Sequence, residues 1–221
     1  MLGGAGIPAD MRERLVRYYP ESVIAYAEAH GIAVRPLAAG EGYCAASPEL
    51  RRLGVDVDAW PVAPAGLFVV TERTIYLREV ASDMALVHEF AHGLDCALGG
   101  GVYFTGVDQR VREAFRDARA FVTAYAASGV DEYFAESVRA YVGANDERSP
   151  WPKVSRERLA QVDPVMSALV AQVFASIPQG DDEARCFHCG RATKARNLRN
   201  GLCRARVSCA KRGALKGGHD A

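Results

Sequence analysis

His88-Glu89-Phe90-Ala91-His92 sets the frame for the whole 221-residue chain. On a helix, residues four apart lie one above the other on the same face, so both imidazoles can reach one metal ion. Glu89, one residue past the first histidine, can then meet a metal-held water instead of the metal. Zinc brings the pKa of such a water to about 7, where a neighbouring carboxylate can take its proton. The pattern H-E-x-x-H also arises by chance, so the rest of a site has to be found elsewhere in the chain.

The flanks fit a helix. Ser82 is a suitable N-cap, the helix runs from Asp83 to about Ala97, and Gly99-Gly100-Gly101 ends it. Val87, Phe90, Ala91, Leu94 and Leu98 supply its apolar contacts. Upstream, Gly66–Thr71 and Thr74–Glu79 alternate β-branched and aromatic residues across a tight turn and predict a hairpin. Thr74–Glu79 is expected to be the edge strand, free to pair with an extended peptide. Ile32–Leu37 predicts a short strand and Ser47–Leu53 one or two helical turns. Residues 10–30 predict a helix broken at Tyr19-Pro20, because a proline pushes the preceding residue out of the α region. Downstream, helices are expected over Val107–Ala127, Val130–Val142 and Arg158–Ile177, with Pro150-Trp151-Pro152 as a linker.

Two histidines leave zinc short of the three protein ligands usual at a catalytic site. Asp95 lies too far along the same helix to close the coordination with its short side chain. An extended H-x-x-G-x-x-H pattern is excluded, because Asp95 and Leu98 occupy the positions it needs. Glu132 and Glu136 offer the alternative, four apart on one face of an otherwise apolar helix. One of these carboxylates can bind zinc while the other accepts the second N–H of a ligating imidazole. Glutamates at this spacing are usually a solvated face; the nearby aromatics and the H-E-x-x-H helix favour ligation here.

These residues carry a resemblance. His88-Glu89-Phe90-Ala91-His92-Gly93-Leu94-Asp95, then Tyr125, then Glu132-Tyr133-Phe134-Ala135-Glu136 are similar to the catalytic domain of anthrax lethal factor and the related Pro-Pro endopeptidases. That family reads H-E-F-[AG]-H-A-[LV]-D, with a tyrosine seven residues before the zinc-binding glutamate of an E-[FY]-F-A-E segment. The similarity spans roughly residues 60–177, and its one departure is Gly93 in place of alanine. The resemblance implies an α+β fold, a mainly helical zincin-type metallopeptidase domain with a small β-sheet. It implies zinc ligation by His88, His92 and Glu132, with Glu89 as general base. Tyr125 becomes the donor to the oxyanion, and Glu136 and Asp95 become residues that orient the ligands. The implied activity is a gluzincin-type zinc endopeptidase acting on a protein or peptide substrate.

Composition is that of a globular chain, 49% hydrophobic and 24% charged, with zero formal net charge. The zero conceals an asymmetry. Residues 185–221 hold ten Lys or Arg and one acid, leaving residues 1–184 with 17 basic and 26 acidic side chains. The tail carries +9 and the rest −9. Four of the six cysteines sit in that tail. Cys186-Phe187-His188-Cys189-Gly190 has the form of a zinc knuckle, and Cys203 and Cys209 can complete a four-cysteine structural zinc site. His188 or His219 could replace one thiolate. The expected organisation is a metallopeptidase domain over 1–178, a linker over 179–184 and a basic zinc module over 185–221, with one catalytic and one structural zinc.

The tail's charge allows a polyanionic partner such as nucleic acid, or the acidic domain itself. Phe187 is its one aromatic, so a base-stacking surface is missing. No apolar run is long enough to span a bilayer. The first residues lack a Sec-type signal, which leads to an expected cytoplasmic location, export by another route remaining open. Two alternatives stand beside the endopeptidase: a cytosolic regulatory protease of the ImmA type, and a non-catalytic nucleic-acid-binding or assembly protein with a protease-like fold.

Overall fold

A computed structural model describes residues 6–178, 183–186, 189, 192–194, 198–199 and 202–203. Two short helices open it, α1 (Ala9–Leu15) and α2 (Glu21–Ala29), separated at Tyr19-Pro20 as the proline requires. Strand β1 (Ala33–Pro36) follows, then α3 (Tyr43–Ala46) and α4 (Pro48–Leu53). The hairpin β2 (Gly66–Val69) and β3 (Thr74–Leu77) comes next, and then the long helix α5 (Asp83–Leu98). Helices α6 (Phe104–Val107), α7 (Gln109–Asp117), α8 (Val130–Val142), α9 (Arg156–Val162) and α10 (Pro164–Ser176) complete the main body. This is an α+β arrangement, mainly helical around a small mixed sheet.

The sheet order is β1-β3-β2, with β1 parallel and β2 antiparallel to β3. Thr74–Glu79 is therefore not the edge. β1 pairs along its other side, and all four β3 residues are buried, as a central strand requires. The free edge beside α5 is β2. Its register fixes which backbone groups stay open. Arg78 N–H donates to the Ala65 carbonyl at 2.9 Å, so Ala65, Leu67 and Val69 bond to β3. The amides and carbonyls of Gly66 and Phe68 point outward.

The strands alternate between two cores. Ile32, Val34, Phe68, Ile75 and Leu77 face the helical core. Leu67, Val69 and Tyr76 pack against Tyr43, Leu50 and Val57 on the other face. Helix α5 is the spine: Leu86, Val87, Phe90, Ala91 and Leu94 are fully buried, and Ser82 caps its start by accepting from Ala85 N–H. Tyr19, also buried, donates its hydroxyl to the Val87 carbonyl at 2.9 Å. Gly93 explains itself here. A Cβ at that position would lie 2.8 Å from Ile32 Cγ2, so the glycine lets the sheet approach α5.

Two expected helices are each divided. Over Val107–Ala127, α6 ends at Val107, Asp108 caps a new helix, and α7 stops at Asp117. Residues 118–124 are irregular and Tyr125–Ala127 form a separate 3-10 turn. Over Arg158–Ile177, Pro164 forces Asp163 out of the α region, and Asp163 caps α10 by accepting from Met166 N–H at 2.8 Å. Asp163 also accepts from the buried Tyr133 hydroxyl of α8, so the break has a tertiary partner.

β4 (Glu183–Arg185) begins within the expected linker and pairs antiparallel with β5 (Ala192–Lys194) of the basic tail, and β6 (Leu198–Arg199) pairs with β7 (Leu202–Cys203). Cys186 is buried and Cys189 exposed. The remainder of the expected four-cysteine site, including Cys209, the Cys203 side chain, His188 and His219, lies outside the described residues.

Candidate metal centre

Helices α5 and α8 pack against each other and bring their polar residues to one point. His88 Nε2 and His92 Nε2 are 3.2 Å apart. Glu132 Oε2 lies 3.0 Å from the first and 3.3 Å from the second. Metal–ligand lengths of about 2.0–2.1 Å at a tetrahedral zinc place neighbouring ligand atoms about 3.3–3.4 Å apart. The three atoms therefore fit one zinc ion. Glu132 Oε2 is also buried without a hydrogen bond of acceptable geometry. Lone-pair atoms gathered this closely repel unless a cation, either a metal ion or a proton on an imidazole, holds them together.

Electrostatics agree with the geometry. Burial pulls the His88 imidazole down, but Glu132 and Glu136 at its two nitrogens outweigh it and hold it at about 10. Burial pushes the Glu132 carboxyl up, and the two imidazoles outweigh that, keeping it well below its ordinary range. The two carboxylates make the surroundings of His88 negative, and its Nε2 proton has to leave before a metal ion takes that place.

Glu136 lies behind His88. Its Oε1 is 3.0 Å from His88 Nδ1, the position from which a carboxylate fixes which ring nitrogen carries the proton. Thr123 Oγ1 donates to Oε2 at 2.7 Å, and Arg139 donates from Nε and Nη2 at 2.8 and 2.9 Å. Burial raises this carboxyl, yet His88 and Arg139 hold it down at about 2. Arg139 is itself only 1% exposed and spends its remaining donors on the Ala144 and Pro152 carbonyls, both at 3.2 Å. An arginine three residues past Glu136 on an apolar helix was the available sign of this pair. Thr123 had none, because it falls in the stretch read as continuous helix.

Tyr125, on its own 3-10 turn, donates its hydroxyl to Glu132 Oε1 at 2.8 Å. Burial and the adjacent Glu132 raise the phenol well above its ordinary value, so it remains a proton donor at neutral pH. Glu89 sits beside Gly66 of β2, where a Cβ would come within 2.6 Å of Glu89 Cγ. Tyr103 covers the other side of the triad, its ring 5.8 Å from that of His92.

Asp95 is placed differently from its expected role of orienting an imidazole. Its Oδ1 accepts from Thr105 N–H at 2.9 Å and its Oδ2 from the Thr105 hydroxyl at 2.7 Å. It thus fastens α5 to α6, while His92 Nδ1 is buried without a partner. A second trio, Cys44, Asp56 and Asp58, could also approach one ion, but Arg78 already holds Asp58 at 2.6 Å.

No family model and no curated protein matches the sequence. Among solved structures, the Pro-Pro endopeptidase PPEP-2 from Paenibacillus alvei superposes with a TM-score of 0.52 at 19% identity, covering 76% of this chain and 95% of that one. The fold resembles that of a Pro-Pro endopeptidase. At this identity the likeness concerns the fold. Among the described residues, no helix is long and apolar enough to cross a membrane.

Proposed function

We propose that the chain is a zinc-dependent endopeptidase, with His88, His92 and Glu132 as metal ligands. The observation that carries the proposal is the convergence of these three ligand atoms within 3.3 Å of one another, beside Glu89 and Tyr125. A fold shared with a Pro-Pro endopeptidase supports the same reading. A zinc ion on the triad supplies a Lewis acid and lowers the pKa of water to about 7.

The remaining steps belong to side chains of this protein. Outward-facing amides and carbonyls of Gly66 and Phe68 on β2 pair with an extended substrate and hold its scissile bond beside α5. Glu89 takes a proton from the attacking water and passes it to the leaving amine. Tyr125 Oη leaves Glu132 and donates to the carbonyl oxygen as negative charge develops there. Glu136 keeps the His88 ring oriented throughout.

The basic tail from residue 185 completes the proposal, with Cys186, Cys189, Cys203 and Cys209 holding a structural zinc. Zinc analysis of the full chain should give two equivalents, falling to one in Cys186→Ser. The peptidase is tested by digesting a peptide library with wild type and Glu89→Gln. Cleavage by the wild type alone is expected; equal cleavage by both would remove the enzyme assignment.

A further inference from the structure

Beside the triad stands an exposed tryptophan, Trp151, that the mechanism above does not use. Trp151 and Tyr125 are 38% and 39% exposed, and their rings meet edge to face with centroids 5.3 Å apart. The Tyr125 ring is in turn 5.8 Å from that of His88. The exposed indole thus adjoins the phenol that serves the reacting carbonyl, and part of its surface meets solvent.

The backbone that carries the indole is also held in place before any ligand arrives. Pro150 and Pro152 flank it with restricted backbones. The Trp151 backbone N–H donates to Ser149 Oγ at 3.1 Å. The Pro152 carbonyl accepts from Arg139, the same buried guanidinium that clamps Glu136 behind His88. Asn145 then brackets Val154, accepting from its N–H and donating to its carbonyl, each at 2.9 Å. A solvent-facing tryptophan on so constrained a segment loses little freedom on binding. One arginine ties its support to the metal ligands.

We infer that Trp151 is a specificity-determining residue of this site: with Tyr125 it forms an aromatic wall for an apolar side chain of the peptide flanking the cleaved bond. This rests on the peptidase reading. The Tyr125 hydroxyl is directed at Glu132, so this ring offers the wall its carbons. A flat ring surface selects by apolar contact.

The test uses the full-length, zinc-loaded protein and peptide pools carrying leucine, aspartate or lysine at each position. Wild type should favour leucine at one position next to the cleaved bond. Trp151→Ala should lower kcat/KM for those peptides about tenfold or more and flatten the preference at that position alone, whereas Trp151→Phe keeps most of it. A binding readout runs in parallel. The chain has two tryptophans, so Trp60→Phe combined with Glu89→Gln leaves Trp151 as the single indole. Its emission should respond to the leucine pools and not to the aspartate pools. An unchanged cleavage profile in Trp151→Ala, a uniform loss at every position, a preference for lysine at the wall, or silent emission would each overturn the inference. If wild type cleaves nothing while the emission responds to leucine pools, the peptidase reading fails and the wall remains.

Discussion

Gly66→Ala perturbs the general base without touching a metal ligand. The added Cβ would stand 2.6 Å from Glu89 Cγ and 3.1 Å from Leu77 Cδ1, whereas ordinary van der Waals contact begins at 3.4 Å. Roughly 0.8 Å must therefore be found, and the atom in the way lies near the root of the Glu89 side chain rather than at its mobile end. Displacing a reacting group by about 1 Å costs on the order of 100-fold in rate. We expect kcat on a cleaved library peptide to fall by about that factor, with bound zinc and Tm close to wild type. Gly106→Ala is the control, since a Cβ there meets nothing within 4 Å. Steady-state kinetics, zinc analysis and thermal unfolding give the three readouts. Wild-type kcat in Gly66→Ala would refute the claim that β2 confines Glu89, and loss of zinc would show that the damage reaches the ligands.

Three further outcomes follow from the site. Tyr125→Phe should keep zinc and Tm while lowering kcat about 100- to 1,000-fold, the usual loss for one oxyanion donor; an unaltered rate removes Tyr125 from the mechanism. Arg139→Met leaves the Glu136 carboxylate buried without its guanidinium, and urea titration should find the protein destabilised by about 3–5 kcal/mol. A loss below about 1 kcal/mol would contradict the buried pair. Asp95 is pushed by burial to about 7 from an ordinary 3.8, against the pull of its Thr105 bonds. The folded form then holds that proton more tightly than the unfolded chain. Its contribution is fully present below pH 3.8 and declines as pH rises to about 7, at a slope approaching 1.4 kcal/mol per unit. Asp95→Asn lacks that slope, so its stability relative to wild type should improve between pH 4.5 and 7; a constant difference in urea titrations argues against the shift.

Local chemistry was legible in the sequence wherever a few neighbouring residues carry it. Ser82 and the glycines after Leu98 bound α5, and the four-residue spacing of His88 and His92 places both rings on one face. The Tyr125–Glu132 register survives although the helix expected to carry Tyr125 is absent, because what the structure preserves is the reach of the phenol. Residues whose partners lie far along the chain were less legible. β3 becomes central only when β1, some forty residues earlier, pairs beside it. Asp95 faces Thr105 rather than an imidazole, and the break at Asp163 is secured by Tyr133 of α8. Pro164 announced that break locally, but apolar periodicity on both sides of it reads as one helix.

The contact between Gly93 and Ile32 links the histories of two positions that carry no chemistry. An alanine at 93, the residue of the lethal-factor pattern, meets the Ile32 γ-methyl at 2.8 Å. Entering alone, it would push the sheet away from the helix that bears both histidines. Entering after Ile32 has been lost to alanine, it would make only ordinary contacts, 3.6 Å from Ile75 Cδ1 and 3.8 Å from Phe68 Cε2, and gain about 1 kcal/mol of helix propensity. Among descendants of this sequence, residues 32 and 93 should therefore change together, with the smaller side chain at 32 arriving first.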